Sequence, residues 1–340
     1  MPSCSNQLTI AIPSWNRQVR LLATLESICS QPEAKQVDLL ILDNGSDEDY
    51  APVVQYLQTR GQPFKYVRHL QNVGMCANIL RCMEEADSAW VWILGDDDPV
   101  MADSLAQVLA AIHTLPSEDI ICFSEEVQLE DSLRMRSPTI DFQAYLETPS
   151  SLMAICGISE NVFRRSSFVA ALAHGYHYAT TLFPHLVVAM AIMSKGGKIA
   201  FKASTLLQKK TVDAADRWYW PSWDLGVGLL LDLPFLKAGE RKKLRAKLVE
   251  LSTNKALFIH SVAMLAAGFE RSFVVYVYTQ SSLRSFGVWP TLLSPYTYGM
   301  FGAIVAPSLA SRVLGLFYRL FRKKVSFSYY RDSMKSKRIN

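Results

Sequence analysis

The stretch AWVWILGDDDPV, residues 89–100, decides how the rest of the chain is read. Six apolar residues at 89–94 have the length and composition of a strand buried on both faces, the kind found in parallel sheets covered by helices. That run stops at Gly95 and gives way to three adjacent acids, Asp96, Asp97 and Asp98. A strand of this kind needs parallel neighbours, and the sequence on either side supplies them.

Toward the N-terminus, LTIAI at 8–12 is a short β-branched and aliphatic run ended by Pro13, with helical periodicity following from about 17 to 30. VDLLIL at 37–42 runs into the turn-rich DNGSDED, and 52–60 is again helical in period. FKYVRH at 64–69 reads as a third strand, QNVG at 71–74 as a loop, and 75–87 as a helix carrying Ile79, Leu80 and Met83 on one face. Toward the C-terminus come a helix at 104–115, a strand at 119–124, a loop to about 150, an apolar segment at 151–157, a helix at 182–195 and the strand KIAFKA. Strands alternating with helices predict an α/β fold with a doubly wound, mostly parallel sheet. From about 215 the pattern is helical and aromatic without alternation, so two domains are expected, 1–212 and 213–340.

Half of the 340 residues are apolar and 19% are charged, which excludes global disorder. The net charge of +4 conceals an asymmetry: residues 310–340 hold nine basic side chains and one acid, whereas the other residues hold 26 basic and 30 acidic groups. The six cysteines are scattered without zinc-ligand spacing, and the opening apolar run is too short for a secretory signal, so a cytoplasmic location is expected. Nucleic acid is not expected among the partners.

Three carboxylates at one strand end repel one another unless a cation offsets them, and oxygen donors suit Mg²⁺ or Mn²⁺, which also bind a diphosphate. The alternative is a solvated acidic turn in which Asp97 or Asp98 caps the next helix. Ligands in open α/β sheets bind beyond the carboxyl ends of strands, where PSWNR at 13–17, DNGSDE at 43–48 and GDDD at 95–98 all fall. Asp43 could accept hydrogen bonds from a nucleobase or ribose, with Asn44-Gly45 as the turn beside it, or could form an ordinary Asx turn. Asn72 and Gly74 pose the same choice, and Arg17 is either a phosphate partner or a solvated helix residue.

The ordered set IPSWNR, ILDNGSDE, QNVGMCAN and WVWILGDDD resembles the family 2 glycosyltransferases of the GT-A fold, an inverting group, over roughly the first 200 residues. Ending the strand in L-G-D-D-D is similar to the bacterial branch that includes abequosyltransferase-like enzymes of surface polysaccharide (O-antigen-type lipopolysaccharide) assembly. The resemblance implies a nucleoside-diphosphate sugar donor, a glycan acceptor and a Mn²⁺ or Mg²⁺ ion. It assigns Pro13, Asn16 and Arg17 to the first nucleotide loop, Asp43 to the base, and Asn72, Gly74 and Asn78 to the loop before the metal strand. Asp96 and Asp98 frame the metal-binding D-x-D, with Asp97 between them and Asp98 as the direct ligand.

Where many relatives carry Glu-Asp as catalytic base, this chain has Pro184 and His185. Neutral histidine can take a hydroxyl proton near pH 7, which makes His185 the expected base, against the alternative of a packed histidine on an apolar helix. His174 and His177 compete for that role. Arg164 and Arg165 in GISENVFRRS either face a phosphate or are solvated. Residues 296–321, interrupted by Pro307 and Arg312, read as an interfacial helix that joins the basic tail in holding the chain to an anionic membrane surface, peripheral at the inner face of the cell membrane. Such a place suits an acceptor on a polyprenyl diphosphate. Trp218, Trp220 and Trp223 could stack on sugars, anchor at that interface or simply pack. Two competitors remain: a catalytically degenerate relative acting as a membrane assembly partner, and a nucleotidyltransferase making activated sugars, which would need a glycine-rich, basic triphosphate loop where PSWNR stands.

Overall fold

The structure is a computed structural model that describes residues 7–124, 139–147, 151–208, 220–251 and 253–320. The chain divides into two compact units, Met1–Lys210 and Thr211–Asn340.

The first unit is built on an eight-stranded sheet. Its strands are β1 (Leu8–Ser14), β2 (Val37–Asp43), β3 (Phe64–Arg68), β4 (Trp90–Ile93), β5 (Ile120–Phe123), β6 (Thr139–Ile140), β7 (Asn161–Arg164) and β8 (Ile199–Lys202), in the order β3-β2-β1-β4-β7-β5-β8-β6. β1 to β4 are mutually parallel, so their carboxyl ends share one rim. β7 and β6 run antiparallel to their neighbours, which the alternation of the sequence did not foretell. The helices are α1 (Gln18–Cys29), α2 (Ala51–Thr59), α3 (Met75–Glu85), α4 (Ser104–Thr114), α5 (Phe142–Glu147), α6 (Ser151–Cys156), α7 (Arg165–His177) and α8 (Pro184–Ser194). The apolar segment read at 151–157 is thus a short helix, and α5 lies within what was expected to be loop.

Trp90 and Trp92 of β4 pack on one sheet face with Ile10 and Ile12 of β1 and with Leu25 and Ile28 of α1. Val91 and Ile93 alternate to the other face and are equally enclosed, which explains why β4 carries no polar residue. In register, Ser14 at the end of β1 lies beside Asp43 at the end of β2, and Asp43 beside Arg68 at the end of β3. Strand length alone therefore delivers these three polar side chains to one rim.

The second unit is helical: α9 (Trp220–Leu229), α10 (Ala238–Leu251), α11 (Asn254–Ala266), α12 (Arg271–Phe286), α13 (Val288–Leu293), α14 (Pro295–Val305) and α15 (Pro307–Leu320). Leu257, Val262 and Met264 of α11 form its core with Val274 and Val277 of α12, joined by Ala310 and Leu314 of α15. Within the segment 296–321 the described residues form two helices rather than one. Ala306 leaves helical geometry (φ −129, ψ 68) because proline disfavours helix in the residue before it, and Pro307 starts the next helix. Among the described residues no helix is long and apolar enough to cross a membrane. Trp218 and the basic tail from Arg322 lie outside the described residues.

Candidate functional site

The acidic turn is not three equivalent ligands. Asp96 is buried, and its Oδ2 accepts from the Ser14 hydroxyl at 2.8 Å while its Oδ1 meets Arg17 Nη1 at 3.3 Å. Burial raises its pKa, an effect that the Arg17 charge and the Ser14 hydrogen bond oppose. Its backbone carbonyl accepts from Thr24 on α1. Asp96, expected to be a metal ligand, has both oxygens in contact with protein groups and anchors the turn from below. Asp97, half-buried, pairs with Arg17 Nη1 and Arg20 Nη1, each at 3.6 Å. Asp98 closes the turn by donating its N–H to the Gly95 carbonyl, and its Oδ2 accepts from the Ser159 hydroxyl at 2.5 Å. Two guanidinium groups therefore stand beside the acidic turn.

A second cluster sits at the ends of β2 and β3. Asp43 is buried; its Oδ1 accepts from the Ser46 N–H at 2.9 Å, and its Oδ2 from the Tyr66 hydroxyl at 2.7 Å with Arg68 Nε at 3.2 Å. Burial and the carboxylate neighbour push the Tyr66 phenol up, so it remains a donor at neutral pH. Beside them opens a cavity of about 810 Å³ lined by Asp43, Asp47, Glu48, Tyr50, Tyr66 and Arg68. Tyr50 joins the two clusters: its hydroxyl lies 2.7 Å from Ser14 Oγ and its ring 6.5 Å from that of Tyr66. One hydrogen-bonded rim thus runs from Tyr50 through Ser14 to Asp96.

Amide side chains hold the loops on that rim. Asn16, at positive φ (51°), accepts from the Asp47 and Glu48 N–H groups through its Oδ1. Asn44 Oδ1 accepts from the Val73 N–H, and its Nδ2 donates to Asn72 Oδ1, which also accepts from the Gly74 N–H. Gly74 itself has φ +86. Asn78 is buried, contacting His69 Nε2 and donating to the Leu42 carbonyl, so it supports the loop from beneath. Pro13 lies inside β1, paired with Leu42, rather than in the loop. Ser14, Arg20, Ser46, Tyr50, Tyr66, Arg68 and Ser159 were missed by the sequence reading. Ser14 and Arg68 were recoverable, since each ends a strand beside an expected site residue.

His185, the second residue of α8, is buried, with Nε2 donating to the Cys156 carbonyl at 3.1 Å. Its Nδ1 is buried without a hydrogen-bond partner among the described residues. Burial lowers its pKa to about 4, against the pull of the nearby Cys156 and Ile155 carbonyls, so the ring is neutral at pH 7. Arg164 and Arg165 do not face the rim. Arg164 stacks over Trp90 at the opposite end of β4 and donates to the Glu118 carbonyl, while Arg165 donates to the Met83 and Glu84 carbonyls. His174 and His177 lie in the last turn of α7. No group of three or more His, Cys, Asp or Glu side chains able to hold a metal ion occurs among the described residues.

Comparison with known proteins matches residues 9–171 to glycosyl transferase family 2. The chain is 22% identical over 207 residues to abequosyltransferase RfbV of Salmonella typhimurium, 56% of this chain and 62% of that protein. Over 105 residues it is 30% identical to the GalNAc(5)-diNAcBac-PP-undecaprenol beta-1,3-glucosyltransferase of Campylobacter jejuni, 30% of this chain and 33% of that protein. The chain thus spans less than two thirds of either relative. Among solved structures, the mannosyltransferase PcManGT of Pyrobaculum calidifontis in complex with GDP-Man and Mn²⁺ superposes with a TM-score of 0.53 at 13% identity, covering 98% of this chain and 87% of that one. The fold is GT-A.

Gly45 tests the rim's construction. Its φ is +70, and a Cβ there would come within 2.7 Å of the Gln71 backbone. Gly45→Ala should therefore cost about 1–3 kcal/mol, read as a lowered urea midpoint, because an alanine is strained at this φ and backbone cannot move aside as a side-chain tip can. An unchanged midpoint would show that the Asn44–Asn72 bridge does not hold the turn in this conformation.

Proposed function

Because residues 9–171 match glycosyl transferase family 2, we propose that this chain moves a sugar from a nucleoside-diphosphate sugar to a hydroxyl of a glycan acceptor, with inversion at the anomeric carbon. The observation that carries the reading is the shared rim, with a polar, aromatic cavity beside Asp43 at one end and the Asp97–Asp98 turn at the other. The first suits a nucleoside and the second a diphosphate, and strand register brings the two ends to one edge. Arg17 and Arg20 add guanidinium groups beside the place a diphosphate would take.

The acidic turn also fits a Mg²⁺ or Mn²⁺ ion. A site shared with substrate phosphates needs only one or two carboxylates, and Asp98, held in orientation by Ser159, is the primary candidate with Asp97 beside it. Such an ion would stabilise the charge that develops on the departing nucleoside diphosphate. Asp96 keeps the turn seated and Asp43 orders Tyr66 and Arg68 around the nucleoside. Asp98→Ala should lower donor affinity in Mn²⁺ by about tenfold or more and remove its sensitivity to EDTA. Unchanged, EDTA-insensitive binding in the wild type, measured by calorimetry with UDP and GDP, would refute the metal assignment.

His185 is the proposed base: its ring is neutral, and its unprotonated Nδ1 lies at the start of α8. Its burial favours a second reading, in which sugar nucleotide binds without turnover. His185→Ala should leave donor binding intact and lower transfer by about 10²-fold or more; a full rate would place the base elsewhere. The low pKa also predicts a direction with pH. The native ring stays neutral down to about 4 while an unfolded-chain histidine protonates below 6.5, so this residue's contribution to stability is present above pH 6.5 and is lost as pH falls toward 4. Urea midpoints of wild type and His185→Ala across that range should converge.

The helical unit supports a place at the inner, anionic surface of a bacterial cell membrane and hence a lipid-linked acceptor. Trp289 is 73% exposed, Leu293 73%, Phe301 64% and Leu309 60%, on three successive helices. On α15, Leu309, Val313 and Leu316 form an outward stripe beside exposed Arg312, and the sequence carries eight more basic residues between positions 319 and 338. Apolar stripe and positive charge together suit an interfacial helix on anionic lipid. Vesicles rich in phosphatidylglycerol should sediment the protein, phosphatidylcholine vesicles much less, and Trp289→Ser with Leu293→Ser should weaken binding about tenfold. Failure to sediment, with dimers in light scattering, would assign this face to a second copy instead.

A further inference from the structure

We propose that Ser159 is a positioning residue for Asp98, a proposal that rests on Asp98 holding a divalent ion. Ser159 lies in the turn before β7, distant in sequence from the acidic turn, and is 3% exposed. Its Oγ accepts from the Gly95 N–H at 2.9 Å and donates to Asp98 Oδ2 at 2.5 Å. A hydroxyl carries one proton; with an N–H already pointing at its oxygen, that proton is directed to the carboxylate. The same residue's carbonyl accepts from Trp92 Nε1 at 2.8 Å, and Trp92 is wholly buried in β4. Ser159 is therefore fixed to the strand on one side and grips both ends of the Gly95–Asp98 turn on the other.

The surrounding segment is fastened as well. Buried Asn161 donates through Nδ2 to the Gly157 carbonyl at 2.6 Å, and the Cys156 carbonyl holds His185. Residues 156–160 thus touch both the proposed ion ligand and the proposed base. Gly95 completes the device: a Cβ there would come within 2.4 Å of Asp98 Oδ2, so only glycine lets the carboxylate fold back to the serine. Sub-ångström orientation of a carboxylate matters to an ion that demands near-octahedral geometry, and partners beyond the direct ligands commonly contribute 10- to 100-fold in affinity.

The test is Mn²⁺ titration by electron paramagnetic resonance in the presence of UDP or GDP, on wild type, Ser159→Ala, Ser159→Thr and Asp98→Ala. Ser159→Ala should weaken Mn²⁺ about tenfold, Ser159→Thr, which retains the hydroxyl, should restore it, and Asp98→Ala should abolish it. Should Ser159→Ala not fold, Ser159→Cys, which weakens the donor, carries the same expectation. Wild-type Mn²⁺ affinity in Ser159→Ala, or equal losses in the alanine and threonine variants, overturns the positioning role while the ion site stands. A wild type that binds no Mn²⁺ overturns the ion site itself, and the role of Ser159 with it.

Discussion

Keeping three consecutive carboxylates at the end of a buried strand is the constraint on which the rim depends. Transferring a carboxylate out of water costs several kcal/mol unless its charge is met and its lone pairs are filled. The chain meets this by giving each acid a different environment. Asp96 goes inward to Ser14 and Arg17, Asp97 outward to two arginines, and Asp98 sideways to Ser159. The partners come from β1, α1 and the turn before β7, so the acids draw separate parts of the chain together where β4 ends.

The same logic governs the loops at the ends of β1 and β2. Their backbone N–H groups have no strand to pair with, and asparagine amides fill the gap: Asn16 for Asp47 and Glu48, Asn44 for Val73, Asn72 for Gly74. An amide can do this because it offers an acceptor and two donors on one short stem. The loops are consequently fastened to one another by side chain to backbone bonds, and the cavity beside Asp43 is bounded by residues whose positions follow from strand register.

Strands β1 to β4 and their helices were legible because continuous apolar runs and helical periods are strong local signals, as WVWI between two polar turns shows. The antiparallel β7 was not, because NVFR carries no mark of direction; pairing with β4 and β5 on both sides decides it. The acids themselves were legible, but their division of labour was not. Nothing in GDDD says which carboxylate turns inward, and the answer depends on Ser14 and Ser159, which reach the turn only through tertiary structure. For Arg164 and Arg165 the sequence left a phosphate partner and a solvated place open, and their positions at the amino end of β4 commit them instead to helix and loop carbonyls. His185 was singled out by register with the family, and the burial observed is the packed alternative that its apolar helix offered.

The pairs made by Asp97 bear on how the rim could accept a diphosphate. Arg17 and Arg20 are both more than a third exposed, and each stands 3.6 Å from the Asp97 carboxylate. Pairs of this kind contribute about 0–1 kcal/mol apiece, because water competes for both partners and ordering two long side chains costs entropy. The serine hydroxyls on Asp96 and Asp98 are of another order, at 2.8 and 2.5 Å and largely enclosed, and losing one leaves a buried polar group unmet at about 1–3 kcal/mol. The middle acid is therefore the one whose partners can be exchanged cheaply. A rim in which serine hydroxyls fix the inner and outer carboxylates, Arg17 stays on Asp96, and the exposed pair of Arg20 with Asp97 can yield to an incoming anion accommodates a charged ligand without dismantling its own support.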